Sequence, residues 1–208
     1  NTPASRVEVE VSDTAPYEIR VRGLIKESTF KKADLQTMTE LRYVPGSNSF
    51  SLHDVLTNHA DYTHDYQIIY HSNFGKPILE EGARFLAPVE SIGPFNDYAK
   101  GGVKTWQTYQ GQTKGFDEMV FNIKPLSDND HHSLAAVVNK AGDKGAAIQF
   151  DTRQLPVLTL WKNTDTDKYG YVTGIEPGTS YAYPVTIERE QKRVKQLQPG
   201  ASTQFDLT

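Results

Sequence analysis

The feature that most constrains the fold is a two-residue alternation of apolar and polar side chains, which begins within the first residues. RVEVEV at 6–11 alternates, and in YEIRVRGLI at 17–25 Ile19 and Val21 fall on one face while Arg20 and Arg22 fall on the other. Period two is the signature of a β-strand, because successive side chains of a strand point to opposite faces of the sheet. The chain is therefore predicted to begin as a β-sheet protein.

The same pattern recurs in short segments along the rest of the chain, most of them bounded by Gly, Pro, Asn or Asp. The further predicted strands are TMTELRYVPGSNS with its closing turn, SFSLHDVLTNHA with a loop, QIIYHSNF, ARFLAPVESI, TWQTYQ, DEMVFNI, LAAVVNKA, GAAIQFD, PVLTLWKN, YGYVTGIE, YPVTIERE and TQFDL. Helical periodicity is weak, and only FKKADLQ at 30–36 predicts a short helical turn. This spacing predicts an all-β, antiparallel sandwich or barrel with minimal helix.

Length and composition narrow the possibilities further. The 208 residues contain no linker or repeat, which predicts a single domain over 1–208. A net charge of −4 lacks the basic footprint of a nucleic-acid partner. The absence of cysteine excludes disulfides, thiolate metal sites and a cysteine nucleophile. No segment approaches the ~18 apolar residues of a membrane span. We expect no membrane partner and a cytoplasmic location, with the periplasm left open.

Three strand segments present polar side chains that could perform acid–base chemistry. If 66–74 is a strand, His71 and Asn73 share a face; in 115–124, Glu118 lies on the face opposite to that of Asp117; and Glu176 shares a face with Val172 and Gly174. A glycine beside a carboxylate leaves room for a group to approach the backbone. One imidazole and two carboxylates suit general acid–base catalysis. Taken singly, each residue is also explained as a surface or hydrogen-bonded group.

A metal centre is the competing hypothesis for the histidine-rich stretch. Five possible ligands lie within thirteen residues, namely His59, Asp61, His64, Asp65 and His71. His59 and His64 fall on opposite faces if both lie in a strand, and NHADYTHD is typical of a loop with Asn and Asp turns. The spacing therefore predicts no metal.

Aromatic residues are frequent in the later strand segments. They are Trp106, Tyr109, Trp161, Tyr169, Tyr171, Tyr181 and Tyr183. Rings beside carboxylates suit sugar recognition, although packing explains most aromatic residues of β domains. Trp161, followed by Lys162 and Asn163, is the best candidate for the wall of a ligand site.

Four motifs in order, YHSNFG, GFDEMVF, QLPVLTLWKN and YVTGIEPGTSY, resemble the galactose mutarotase-like superfamily, and within it a bacterial branch related to aldose 1-epimerases. The resemblance extends over the whole chain and implies a large antiparallel β-supersandwich with a sugar site. It also implies aldose 1-epimerase activity, the interconversion of α and β anomers of a monosaccharide or sugar derivative, without a cofactor. The alternative is a carbohydrate-binding module of the same fold without turnover.

The resemblance also implies roles for individual residues. His71 in the His-x-Asn element would be the acid, Glu176 the base, and Asn73 would orient His71 or a sugar hydroxyl. The middle carboxylate is Glu118 if the family motif is aligned on Phe121, and Asp117 if it is aligned on the glycine. Strand faces favour Glu118. The remaining expected substrate contacts are Trp161, Lys162 and Tyr181.

One departure from the family pattern concerns the start of the chain. The family has an earlier segment with another His and an Arg, which this sequence does not contain; NTPAS corresponds to the point just after it. We therefore expect the chain to be the C-terminal part of a larger mutarotase-like domain. Missing strands would expose sheet edges, so a homo-oligomer is a further expectation.

Overall fold

The computed structural model describes residues 2–208, and nearly all of its regular structure is β-strand. In chain order the strands are β1 (Arg6–Val11), β2 (Ile19–Thr29), β3 (Ala33–Tyr43), β4 (Phe50–Asn58), β5 (His64–Tyr66), β6 (Ser72–Phe74), β7 (Arg84–Leu86), β8 (Val89–Pro94), β9 (Met119–Pro125), β10 (His132–Val138), β11 (Gly145–Asp151), β12 (Val157–Thr164), β13 (Tyr171–Gly178), β14 (Lys195–Leu197) and β15 (Ser202–Leu207). A 3₁₀ helix spans Tyr98–Gly102, and the helix α1 spans Val185–Glu190. The predicted all-β class with minimal helix is confirmed.

The contacts of the chain group into two compact units. One unit extends to Tyr66 and includes Val194–Thr208; the other is Gln67–Arg193. In the first unit, β1, β2, β3, β4 and β15 pair in that order, each antiparallel to its neighbour, and β5 pairs with β14. The expectation of a single domain over 1–208 stays a prediction.

The second unit contains a five-stranded antiparallel sheet in the order β6-β13-β12-β9-β8. Phe121, Leu160 and Ile175 pair across its three central strands and are fully buried. Since paired residues share a face, this row defines the core face of the sheet. Thr159 and Trp161, which alternate with the leucines of β12, therefore lie on the opposite face. The remaining strands of this unit are β7, β10 and β11, and β10 pairs antiparallel with each of the other two.

Three sequence-based predictions of local structure are wrong. Residues 30–36 are not helical: a turn at 30–32 leads directly into β3, and Lys31 has a positive φ of 59°. The segment 183–190 is not a strand, because α1 begins after Pro184 and its Glu188 is held by Arg193. The segment TWQTYQ forms turns with a single bridge from Thr108 to Arg84. In each case turn geometry or tertiary contacts outweigh local propensity.

No helix within residues 2–208 is long and apolar enough to cross a membrane.

The buried row of Phe121, Leu160 and Ile175 predicts which leucine substitutions destabilise the second unit. Leu160→Ala should lower the free energy of unfolding by about 2–5 kcal/mol, because it removes a fully buried side chain from a packed core. Leu134→Ala is the matched control, since Leu134 also lies in a strand but is 46% exposed, and it should cost less than about 1 kcal/mol. Urea denaturation measures both, and equal losses would contradict this assignment of the core.

Candidate functional site

The functional site lies on the face of the five-stranded sheet that points away from Phe121, Leu160 and Ile175. On this face Gly174 has no side chain, and the space above its backbone is taken by its neighbours. Gly174 lies opposite Asn73 of β6 on one side and Trp161 of β12 on the other. A Cβ atom at Gly174 would lie 2.5 Å from Glu176 Oε1 and 3.1 Å from His71 Cε1. Glycine is therefore the residue that lets the Glu176 and His71 side chains meet above the backbone, which is the room predicted beside this carboxylate.

His71 and Glu176 form the centre of the site. Within the predicted strand over 66–74, only Tyr66, which ends β5, and Ser72–Phe74 are in regular strands. The pairs Ser72–Ile175 and Ile69–Gly178 nevertheless keep one register, which places His71 opposite Glu176. His71 Nε2 lies 2.9 Å from Glu176 Oε1. The two atoms are at ion-pair distance without the alignment of a hydrogen bond, and Oε1 is buried with no hydrogen-bond partner among the described residues. This oxygen therefore keeps unused hydrogen-bonding capacity beside His71.

The environment of Glu176 favours its neutral form. The side chain is 6% exposed, and burial raises the pKa of Glu176 to about 7, with a smaller contribution from the negative charge of Glu118. Near neutral pH both the acid and the carboxylate are therefore populated. A carboxyl group in this state can exchange a proton with a ligand in either direction.

Trp161 joins the second carboxylate to this centre. Its Nε1–H donates a hydrogen bond to Glu118 Oε2 at 2.8 Å. Its ring centroid lies 5.8 Å from that of His71, with the planes tilted by 56°. Trp161 thus forms an aromatic wall between Glu118 and His71. Asp117 differs from Glu118, because its Oδ1 accepts the backbone N–H of Glu118 at 2.9 Å and so serves a local turn.

Lys162, a predicted ligand contact, lies apart from the His71 face. It follows Trp161 in β12 and therefore points to the core face, where it is buried. Its Nζ donates to the carbonyl oxygens of Trp106 and Thr108 at 3.0 and 2.8 Å and lies 4.6 Å from the Tyr109 ring centroid. Burial lowers the pKa of Lys162 to about 8. The ammonium braces the turns of 105–110, and the structure does not bring it to the His71 face.

The other predicted contacts are placed as follows. Asn73 is exposed and lies on the site face opposite Gly174. Tyr181 is half-buried under the guanidinium of Arg193, whose Cζ lies 5.2 Å from the ring centroid. No contact joins Tyr181 to His71 or Glu176 in the described part of the chain, so it remains only a predicted ligand contact.

Three residues outside the predicted set belong to the site face. Thr159 lies opposite Glu176 in the β12–β13 pairing, and Asn122 lies opposite Thr159 in the β9–β12 pairing. Asn122 Nδ2 donates to the Tyr183 hydroxyl at 3.0 Å, and the Tyr183 ring stacks on Phe95 at 4.4 Å. Strand parity could have found Thr159 and Asn122, since Thr159 shares a face with Trp161 and Asn122 shares a face with Glu118. Tyr183 carried no signal beyond being aromatic.

Residues 2–208 contain no group of three or more His, Asp or Glu side chains arranged to hold a metal ion. The expectation of a site without metal stays a prediction.

Comparison with known proteins gives one family and a set of similar structures. The family model described as a domain of unknown function, DUF4432, matches residues 1–208. A structure from Klebsiella pneumoniae, provisionally named an aldose 1-epimerase, is 87% identical with a TM-score of 0.97. The alignment covers 100% of this chain and 54% of that one, so this chain spans about half the length of that protein. A search of curated proteins found no match.

Two distant similarities concern the fold alone. A galactose mutarotase-like protein from Clostridium acetobutylicum is 12% identical with a TM-score of 0.64, over 98% of this chain and 65% of that one. A galactose mutarotase-related enzyme from Lactobacillus acidophilus is 16% identical with a TM-score of 0.62, over 98% and 71%. These two folds confirm the predicted antiparallel sandwich class, and the 87% identical Klebsiella pneumoniae structure supports the predicted resemblance to aldose 1-epimerase-related proteins.

The gap at Gly174 leads to a prediction about the geometry of the site. Gly174→Ala should displace the Glu176 carboxylate from His71 and lower the free energy of unfolding by about 1–3 kcal/mol, because the new methyl group overlaps buried atoms. Gly93→Ala in β8 is the control, since its Cβ would meet nothing within 4 Å, and it should be nearly neutral. Thermal unfolding and a crystal structure of each variant measure the effect. An unchanged His71–Glu176 distance in Gly174→Ala would contradict it.

The raised pKa of Glu176 predicts a pH dependence of stability. A carboxyl group with a higher pKa in the folded state holds its proton more tightly there, so the free energy of unfolding falls as the pH rises from the ordinary value of 4.5 to about 7. Glu176→Gln removes this titration and should remove a loss of up to about 3 kcal/mol over that interval. Glu190→Gln, at an exposed site in α1, should leave the pH profile unchanged. Identical profiles for wild type and Glu176→Gln would refute the assignment.

Proposed function

We propose that this chain, which belongs to the DUF4432 family, is the catalytic part of an aldose 1-epimerase that interconverts the α and β anomers of a sugar. The named neighbours support a carbohydrate-related family. The observation that carries the proposal is the 2.9 Å approach of His71 Nε2 to Glu176 Oε1, an oxygen that is otherwise unpartnered among the described residues. One proton donor and one proton acceptor thus meet at a single point of an aromatic-lined face.

The proposed reaction acts on the two oxygen atoms bonded to the sugar's C1, the anomeric hydroxyl oxygen and the ring oxygen. Glu176, as carboxylate, takes the proton of the anomeric hydroxyl, and His71, as imidazolium, gives a proton to the ring oxygen. The C1–O bond of the ring breaks, and C1 becomes a carbonyl carbon. Rotation about the C1–C2 bond presents the other carbonyl face to the ring hydroxyl. The ring then closes as His71 takes back its proton and Glu176 returns one to the new anomeric oxygen.

The environment of each group suits this role. A base functions best when its pKa lies near the working pH, and burial raises the pKa of Glu176 to about 7. The indole of Trp161 offers a surface for the C–H face of a sugar ring, and its bond to Glu118 fixes the plane of that surface. The second oxygen of Glu118, Oε1, and the exposed Asn73 side chain can bind sugar hydroxyls at the edge of the site. No step requires a metal or an organic cofactor.

Anomer exchange by proton NMR tests the proposal. Magnetisation transfer between α and β signals, measured over a panel of aldoses, should show exchange faster than in buffer for at least one sugar. Glu176→Gln should slow that exchange by about 10²–10⁴-fold while leaving sugar binding intact, because it removes the base and keeps the shape. Glu190→Gln should exchange at the wild-type rate.

Two outcomes would count against catalysis. Full exchange in Glu176→Gln would remove Glu176 from the mechanism. Sugar binding with no exchange in the wild type would favour the carbohydrate-binding module, which needs the Trp161 wall and its neighbouring acceptors but no acid–base pair.

A further inference from the structure

One face of the main sheet of the first unit carries uncharged, mostly aliphatic side chains. Residues that pair across strands share a face, and two neighbouring rows of such pairs cross this sheet. One row crosses β1 to β4 and the other crosses β1 to β15; in order, they are Val11, Ile19, Tyr43 and Phe50, and Val9, Val21, Leu41, Leu52 and Leu207. None of these nine residues is charged. We refer to them as the apolar face.

The opposite side of the same strands is suited to water. Its row in the neighbouring register has an ionisable residue at every position, namely Glu8, Arg22, Glu40, His53 and Asp206, and we call it the charged face. Arg22 Nε donates to Glu40 Oε2 at 2.5 Å, and His53 Nδ1 lies 2.6 Å from Asp206 Oδ1. Antiparallel sheets commonly have one face packed on a core and one face in water. By this rule the apolar face is the one that should be covered.

The apolar face is nevertheless open at the β1 side of the sheet. Val9 and Val11 are 64% and 63% exposed, and Phe50 is 57% exposed. Along the longer row the exposure falls from Val9 to Leu207, which is 8% exposed. The open part is therefore contiguous and crosses several strands. Contiguous exposed apolar surface of this kind marks a site of interaction with another surface.

The chemistry of the apolar face indicates what covers it. It offers no cation to the phosphates of a nucleic acid or to anionic lipid headgroups, because none of its members is charged. Valine and isoleucine form its β1 and β2 part, and such side chains on a sheet pack well against the apolar face of a second sheet, about 10 Å away. The partner surface that fits is thus another β-sheet.

Longer proteins of similar fold have chain available to form such a sheet. This chain covers 54% of the 87% identical Klebsiella pneumoniae protein, so almost half of that protein lies outside the match. The two distant folds also extend beyond the matched region, since this chain covers 65% and 71% of them. A sheet within the same polypeptide has a high effective concentration at the apolar face, whereas a second copy must bind from solution.

We propose that the apolar face is the docking surface for a second β-sheet, formed by residues that correspond to the part of the Klebsiella pneumoniae protein outside the match. Docking would cover Val9, Val11 and Phe50 and leave the charged face in water. The inference does not rest on the proposed sugar chemistry, because no member of the apolar face belongs to the site of His71 and Glu176. Either proposal can therefore fail alone.

Thiol labelling measures the cover of the apolar face, since the chain contains no cysteine. Val9→Cys puts a thiol on the apolar face, and Glu8→Cys puts one on the neighbouring residue of β1, on the charged face. Each substitution is made in the chain 1–208 and in a chimera, in which this chain replaces its 87% identical counterpart within the Klebsiella pneumoniae protein. Maleimide labelling is followed by mass spectrometry of the peptide that contains residues 8 and 9.

The two thiols should respond differently to the chimera. In the chain alone both should react at rates within about 3-fold of each other, because both positions are exposed. In the chimera Val9→Cys should react at least about 10-fold more slowly, since a packed thiol reacts only when the structure opens locally. Glu8→Cys should keep its rate. Cysteine is small and suits a packed face, so both variants are expected to fold, which thermal unfolding checks.

Four results would overturn the proposal. Equal labelling of Val9→Cys in chain and chimera would mean that the remainder of the protein does not cover this face. Slowing of both thiols in the chimera would mean shielding of β1 as a whole. Slowing in the chain alone that increases with its concentration and equals that in the chimera would assign the face to a second copy. Slowing in the chimera only on addition of phosphatidylcholine vesicles would assign it to a lipid surface.

Discussion

The register between β12 and β13 is the constraint on which the rest of the site depends. It sets Trp161 against Gly174 and Thr159 against Glu176, while Leu160 and Ile175 face the core. A slip of one residue would exchange the two faces of a strand and put leucines on the site face. Because burial of Phe121, Leu160 and Ile175 opposes such a slip, the hydrophobic core also holds the acid–base pair in place.

Each face of this sheet buries one ionisable side chain, a carboxylic acid on the site face and an amine on the core face. Glu176 is a buried acid and Lys162 a buried base, and desolvation moves the pKa of each towards its neutral form, to about 7 and about 8. Lys162 is satisfied by two backbone carbonyls and serves the structure. Glu176 Oε1 has only the near contact with His71 among the described residues, which is why it suits proton transfer. The same physical effect thus serves packing on one face and the proposed chemistry on the other.

The face on which most strand residues lie could be predicted from the alternation of apolar and polar side chains. The residues and elements that were placed differently have physical reasons. Parity correctly put Glu118 on a face with Asn122 and separated it from Phe121, and it put Gly174 beside Glu176. Lys162 and Trp161 were predicted together as ligand contacts, but the structure places them on opposite faces, because neighbours in one strand point to opposite sides. The helix α1 was missed because its Glu188 is stabilised by Arg193, a contact that depends on the turn between them.

The sequence by itself determined the all-β class, the position of most strands and the face of each strand on which a side chain lies, since these depend on residues two apart. Only the tertiary structure decided which strands are neighbours and in what register. His71, Asn122, Thr159 and Glu176 are distant in sequence, and hydrogen-bonded ladders align them in one row. Burial is likewise a property of that assembly, so the raised pKa of Glu176 and the unpartnered atoms beside it could not be read from local pattern.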